Sequence, residues 1–173
     1  MPGPDRPLLG ALRQLRHERR GMLLAGIAMA LVLAPLDLAR QLPVRDDPSR
    51  LAALLVDLVG VVVAALGQLV LVGVAAGARP AGWLPVGAAH VGRALRAHPR
   101  ALMAGLVAAG AVSACVTIPV SVAALGATQV LGPLQSPSTS ALLVATAGDA
   151  VATALTAPYF AVLAAGLGAR VRA

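Results

Sequence analysis

Residues 51–76 read LAALLVDLVGVVVAALGQLVLVGVAA, interrupted in their apolar run only by Asp57 and Gln68. Crossing ~30 Å of hydrocarbon at ~1.5 Å per residue takes about 20 apolar residues, so this stretch has the length of a membrane-spanning helix. Working outward from it, residues 21–39, 101–126 and 140–168 have the same character. No alternating apolar and polar pattern of a β-barrel is present, and open strands leave their backbone groups unsatisfied in lipid. The expectation is an all-α polytopic membrane protein of four spans, forming a single integral domain over residues 1–173. The first span is the weakest, because its uncharged core runs only from Gly21 to Leu36 before Asp37. A signal peptide competes for that stretch. The long patterned segment before it, and Pro35 directly behind the small-residue site at 32–34, favour retention as a span.

Composition agrees. Hydrophobic residues make up 58% of the chain, charged residues 12%, and the mean hydropathy is +0.84, outside the soluble range. The 14 basic residues are all arginine against seven acids, a net charge of +7. Nucleic acid is excluded as the partner, since only Trp83, Tyr159 and Phe160 could stack bases and the arginines border apolar spans. One cysteine makes no internal disulfide, and no soluble domain is appended.

The arginines set the orientation. Eleven lie before the first span, between the second and third, and in the tail; three lie in the connection at 40–50; none lies at 127–139. The positive-inside rule then places both termini in the cytoplasm and the other two connections outside. Asp47 before Pro48 reads as a helix N-cap, and Ser138, Thr139 and Ser140 offer the same to the last span.

Two short segments beside the spans are amphipathic. In residues 7–20, Leu8, Ala11, Leu12 and Leu15 share a helical face from which Arg13, Arg16 and Arg20 turn away. In residues 84–100, Leu84, Ala88, Val91 and Leu95 form the apolar stripe and Arg93, Arg96 and Arg100 the basic one, with Trp83 as an interfacial anchor. Both read as cytoplasmic helices in the membrane surface, their arginines facing anionic lipid headgroups or simply setting topology. A shift of 80 residues superposes Leu15, Arg16 and Arg20 on Leu95, Arg96 and Arg100. That register suggests a parallel duplication, with units at 7–76 and 84–169, against the alternative of two unrelated juxtamembrane helices.

VGRALRAHPRALMAGLVAAG at 91–110 and APYFAVLAAGLGARVRA at 157–173 carry a family resemblance. The chain resembles the multi-span membrane domains associated with bacterial glycerophosphodiester phosphodiesterases and related uncharacterised bacterial membrane proteins. The resemblance implies a multi-pass protein of the inner membrane that alternates basic amphipathic segments with paired spans. This chain departs from that pattern at Leu167, Gly168 and Ala169, where the family has a tyrosine and an aspartate before the terminal R-x-R, and it has only four spans. It carries no phosphodiesterase domain, so that activity does not transfer.

Polar residues within the spans are the remaining chemistry. An acid at the centre of a spanning helix costs about 2.5–3.5 kcal/mol, so Asp57 and Asp149 need a reason. Asp57 and Gln68 share a face of the second span; Ser113, Thr117 and Ser121 line one face of the third; Thr146, Asp149, Thr153 and Thr156 line one face of the fourth. Two readings stand: interhelical hydrogen bonds worth about 0.6 kcal/mol each, or a vestibule open to the outside with Asp57 and Asp149 as a cation or proton site. The first is preferred, because no arginine or histidine inside the membrane completes a relay. Pro119 and Pro158 each free a carbonyl four residues back and are expected to kink their spans. Gly73 and Gly77 form a G-x-x-x-G, and Gly26, Ala30 and Ala34 a small-residue stripe, either able to bring helices close.

Cys115 lies in apolar surroundings, and His17, His90 and His98 are scattered without carboxylates, so neither a thiol nucleophile nor a metal site is expected. No cofactor motif and no nucleophile–base pair is present. The sequence-level expectation is a non-catalytic accessory subunit or lipid-interacting scaffold, alone, as a homo-oligomer or in a larger membrane complex. The alternative is a small transporter or channel subunit with its site at Asp57 and Asp149.

Overall fold

A computed structural model describes residues 19–46, 50–126 and 138–171, and every regular element among them is helical. Among the described residues five α-helices follow one another: α1 Arg19–Asp46, α2 Arg50–Ala75, α3 Trp83–Ala97, α4 Pro99–Leu125 and α5 Thr139–Arg170, with a 3-10 turn at Pro80–Gly82. Three of them are long and apolar enough to cross a membrane: α2 over Leu54–Ala75, α4 and α5. The apolar part of α1 is shorter, Arg20–Leu36, about 25 Å of helix. The helix nevertheless continues to Asp46, so residues 40–46, expected as loop, extend it by two turns.

The helix ends follow from local chemistry. Gly77 leaves α2 at φ +73°, a left-handed conformation that favours glycine, with Ala78 N–H donating to the Gly73 carbonyl at 3.0 Å and Gly77 N–H to that of Val74 at 2.9 Å. This pair of bonds is a Schellman stop. Trp83 Nε1 then donates to the Ala78 carbonyl at 3.0 Å and ties the turn to the start of α3. Ser138 caps α5, its Oγ accepting from Ala141 N–H at 3.3 Å, as the serine cluster predicts.

The segment 84–100 is not one helix. It breaks at His98 (φ −135°, ψ 49°), because proline disfavours the α conformation in the residue before it, and Pro99 opens α4. Arg100 therefore belongs to α4. The segment 7–18, with Arg13 and Arg16, and the Asp47–Pro48 cap lie outside the described residues.

α5 is the central helix and packs against each of the other four. Its last turns, AVLAA at 161–165, are buried on every side, as a helix apolar all round must be. Met22 near the start of α1, Leu71 and Val72 near the end of α2, Ala94 of α3, Leu102 near the start of α4 and Leu163 of α5 share one core cluster. The four long helices therefore alternate in direction, and the densest packing lies at the end that α3 closes. Glycine lets the backbones touch there. A Cβ on Gly87 would collide with the Leu69 carbonyl and one on Gly73 with that of Trp83, so α3 crosses α2 in backbone contact.

α1 is seated on the proline of α5. A Cβ on Gly26 would come within 2.6 Å of Pro158 Cγ and 2.7 Å of the Ala154 carbonyl oxygen, the acceptor that Pro158 leaves without its helical donor. Met22, Gly26 and Ala30, one residue per turn, are buried. The small-residue stripe of α1 is thus spent inside the protein. Its partner motif divides likewise, Gly73 serving the α2–α3 crossing and Gly77 the helix stop.

Candidate functional site

Two regions bring the expected residues together. The first is a cavity of about 290 Å³ between α1, α2 and α5, lined by Leu33, Leu36, Val56, Asp57, Gly60, Val61, Ala64 and Thr153. The second is the arginine-rich end.

The cavity exists because the helices part where their side chains are small or turned away. Gly60 offers no Cβ, Ala64 only a methyl, and Leu33 and Leu36 stand along α1 well beyond its close seat on Pro158. Asp57 lies on the α2 face that also carries Gln68, whose amide donates to the Ala157 carbonyl of α5 at 3.1 Å. That bond joins α2 to α5 beside Pro158. The polar lining is one carboxyl group and one hydroxyl; every other wall is aliphatic or glycine.

The remaining polar residues are dispersed. Asp149 is half-buried on α5, outside the cavity lining. Thr156 is turned back on its own helix, its hydroxyl donating to the Ala152 carbonyl at 2.8 Å, a common resting place for a threonine in an apolar helix. Thr146 is buried, and its hydroxyl has no hydrogen-bond partner among the described residues. Ser113, Thr117 and Ser121 are half-buried along α4, which packs on α5 but contributes nothing to the cavity. Among the described residues, no three of His, Cys, Asp and Glu are placed to share a metal ion.

At the other end, Arg20, Arg79, Arg96, Arg100 and Arg170 are exposed. Arg93 is different. Its Nε donates to the Gly168 carbonyl at 3.0 Å, and its Nη2 lies 3.0 Å from Nδ1 of the buried His90. Gly168 is in the last turn of α5, whose carbonyls lack helical donors, so Arg93 acts as a cationic cap on that helix and complements its dipole. His90 Nδ1 is also 2.9 Å from the Val86 carbonyl. A carbonyl only accepts and a guanidinium only donates, so Nδ1 serves one of the two at a time, donating to Val86 when it carries the ring proton and accepting from Arg93 when it does not. The expected basic stripe is thereby divided, Arg93 facing the protein and Arg96 and Arg100 facing out.

Most of the apolar stripe of α3 also faces out: Leu84, Ala88 and Leu95 are exposed, Val91 packs against the core, and Gly87, His90 and Ala94 form the buried face. Sequence reasoning missed that buried face. Its signal was Gly87 at three and seven residues from His90 and Ala94, the small-residue spacing that selects a close crossing. A Cβ on Gly168 would lie 2.5 Å from the His90 carbonyl oxygen, so α5 meets α3 in backbone contact there.

No protein-family model, no curated protein and no solved structure matches the chain.

Proposed function

We propose that this chain is a non-catalytic, four-span protein of the bacterial inner membrane, with both termini in the cytoplasm, that serves as an accessory subunit or lipid-interacting scaffold. The observation that carries the reading is the one-ended layer of exposed arginines, Arg20, Arg79, Arg96, Arg100 and Arg170, beside outward-facing apolar residues of α3 and the long helices. Such a layer orients the protein and holds anionic headgroups, at about 1 kcal/mol per arginine near the surface. α1 completes the fourth span by extending its short apolar run with further helix. Leu84 and Leu95 enter the lipid from the surface helix α3 while Arg96 stays at headgroup level.

The test is lipid dependence. Full-length protein in nanodiscs should unfold at a higher temperature in phosphatidylglycerol than in phosphatidylcholine, and the double variant Arg96→Gln, Arg100→Gln should lose most of that difference. Equal stability in both lipids sinks the scaffold reading.

A second reading, a small transporter or channel subunit, is favoured by one observation: Asp57 and Thr153 line a cavity instead of packed helix surface. An ionisable residue at such a place inside a spanning helix is a functional site by default.

A further inference from the structure

One corner of the arginine layer has the chemistry to select a particular lipid, an inference that rests on the lipid-interacting reading above. α3 ends at Ala97 and α4 begins at Pro99, so Arg96 and Arg100 stand on either side of the break at His98. Both are exposed, and four residues of chain reach at most about 14 Å even when fully extended. The backbone holds this corner firmly. His98 N–H donates to the Ala94 carbonyl at 2.8 Å and Leu102 N–H to that of His98 at 3.1 Å, while Ala94 and Leu102 are themselves buried in the core. Neither α3 nor α4 contains an acidic residue, so neither helix neutralises its own arginines.

Arg93 limits the charge at the corner to two. It would be the third cation there, but its Nε and Nη2 are engaged by the Gly168 carbonyl and His90. Each of the two remaining arginines has an exposed apolar flank. Leu95, 53% exposed, precedes Arg96, and Met103 and Val107, 53% and 67% exposed, follow Arg100 at three and seven residues on one face of α4. A soluble anion makes no use of those flanks. A phospholipid with one phosphate brings a single charge to two guanidiniums, and a second such lipid gives up its own freedom of movement to supply the other. A lipid carrying two linked phosphates delivers the second one already tethered, so its second contact is intramolecular. Each phosphate can then take the paired N–H groups of one guanidinium.

We propose that the α3–α4 corner is a binding site for one molecule of diphosphatidylglycerol, its two phosphates on Arg96 and Arg100 and its acyl chains beside Leu95, Met103 and Val107. Arg93 ties the corner to the last turn of α5 and stays out of the site.

The experiment places full-length protein in phosphatidylcholine nanodiscs doped with diphosphatidylglycerol or with phosphatidylglycerol at equal phosphate, and counts the lipids it retains by native mass spectrometry. One diphosphatidylglycerol per chain should be retained saturably, with half-occupancy at a dose at least tenfold lower than for phosphatidylglycerol. Arg96→Gln and Arg100→Gln should each weaken it about fivefold or more and bring it close to the single-phosphate lipid. Arg79→Gln removes the same charge at the other end of α3, so it should weaken both lipids alike and leave their ratio within about twofold. An unchanged ratio in Arg96→Gln or Arg100→Gln overturns the proposal. So does displacement of the lipid by an excess of glycerol 1,3-bisphosphate in the bath, which would make a soluble diphosphate the ligand. If both anionic lipids are retained equally and in preference to phosphatidylcholine, the two-phosphate site is wrong and the lipid-interacting reading stands. If neither is preferred to phosphatidylcholine, both are wrong.

Discussion

Where Arg20, Arg79, Arg96 and Arg100 ring the bundle, Ala161 to Ala165 are enclosed on all sides and glycines bring backbones into contact; at the opposite end Leu54, Leu58 and Val61 face outward and a cavity opens beside Asp57. The two ends hold together in different ways because lipid gives helices no hydrophobic reason to associate. What remains is dispersion between closely fitted surfaces, which needs small residues at the crossings, and hydrogen bonds to backbone carbonyls that have lost or lack a donor. The arginine-rich end has both. At the opposite end Gly148 of α5 seats against Val120 of α4, but the α2 side is open beside Asp57.

The largest effect expected from this contrast is at the α2–α3 crossing. Gly87→Val puts a branched side chain into the Leu69 carbonyl, against backbone that has nowhere to go, and should cost more than about 3 kcal/mol or abolish folding. Gly110→Val, on α4 with nothing within 4 Å of its added Cβ, should change stability by less than about 0.5 kcal/mol. Unfolding by sodium dodecyl sulfate in mixed micelles measures both. Similar costs for the two would mean that glycine at these crossings reflects composition and not contact.

A second comparison removes atoms instead of adding them. Leu163, 1% exposed within the core, should lose about 3 kcal/mol on truncation to alanine, because its cavity is walled by α1 to α4 and cannot collapse. Leu143, 51% exposed near the other end of the same helix, should lose under about 1 kcal/mol, since lipid replaces the missing contacts. If Leu143→Ala proves as costly, its face is covered by a partner, and the open end is open only in the isolated chain.

These asymmetries were partly legible in the sequence. The edges of α2, α4 and α5 fall within two residues of the apolar runs, because arginine, proline and serine mark where hydrocarbon ends. The polar face of α2 was legible too, since Asp57 and Gln68 lie almost three whole turns apart, and both are on the side that meets α5. Other features depend on distances between helices, which periodicity does not encode. Pro35, Asp37 and Arg40 read as the end of the first span, yet α1 runs on to Asp46, and its Gly26 face docks on Pro158 instead of lipid. The α3 stripe was identified, but which face the protein would take was not. Glycine and alanine win that contest over leucine, because in lipid close approach counts for more than apolar area.

Arg93 tests how much of the packed end is electrostatic. Arg93→Gln keeps a donor and most of the stem but removes the charge that faces the last turn of α5 and the fork that reaches Gly168 and His90 together. A hydrogen bond from a charged group contributes about 1.5–3 kcal/mol, so the substitution should cost roughly 1.5 kcal/mol with the amide compensating in part. Arg96→Gln, three residues on and exposed, should cost less than about 0.5 kcal/mol in a neutral lipid. Equal effects would remove the distinction between the inward and the outward arginine.

A smaller effect sits between the two ends. Gln68 donates to the Ala157 carbonyl immediately before Pro158, where α5 has already given up one helical bond, and it marks the level at which close packing gives way to the cavity. Polar contacts of this kind inside a membrane average about 0.6 kcal/mol, because a glutamine in the unfolded but still inserted chain finds other acceptors. Gln68→Leu should therefore cost no more than that, since α2 stays held by Gly73 against α3. A loss above about 2 kcal/mol would show that a single amide sets the register of α2 on α5. The cavity would then be a consequence of that bond, and the two ends of the molecule would be coupled through it.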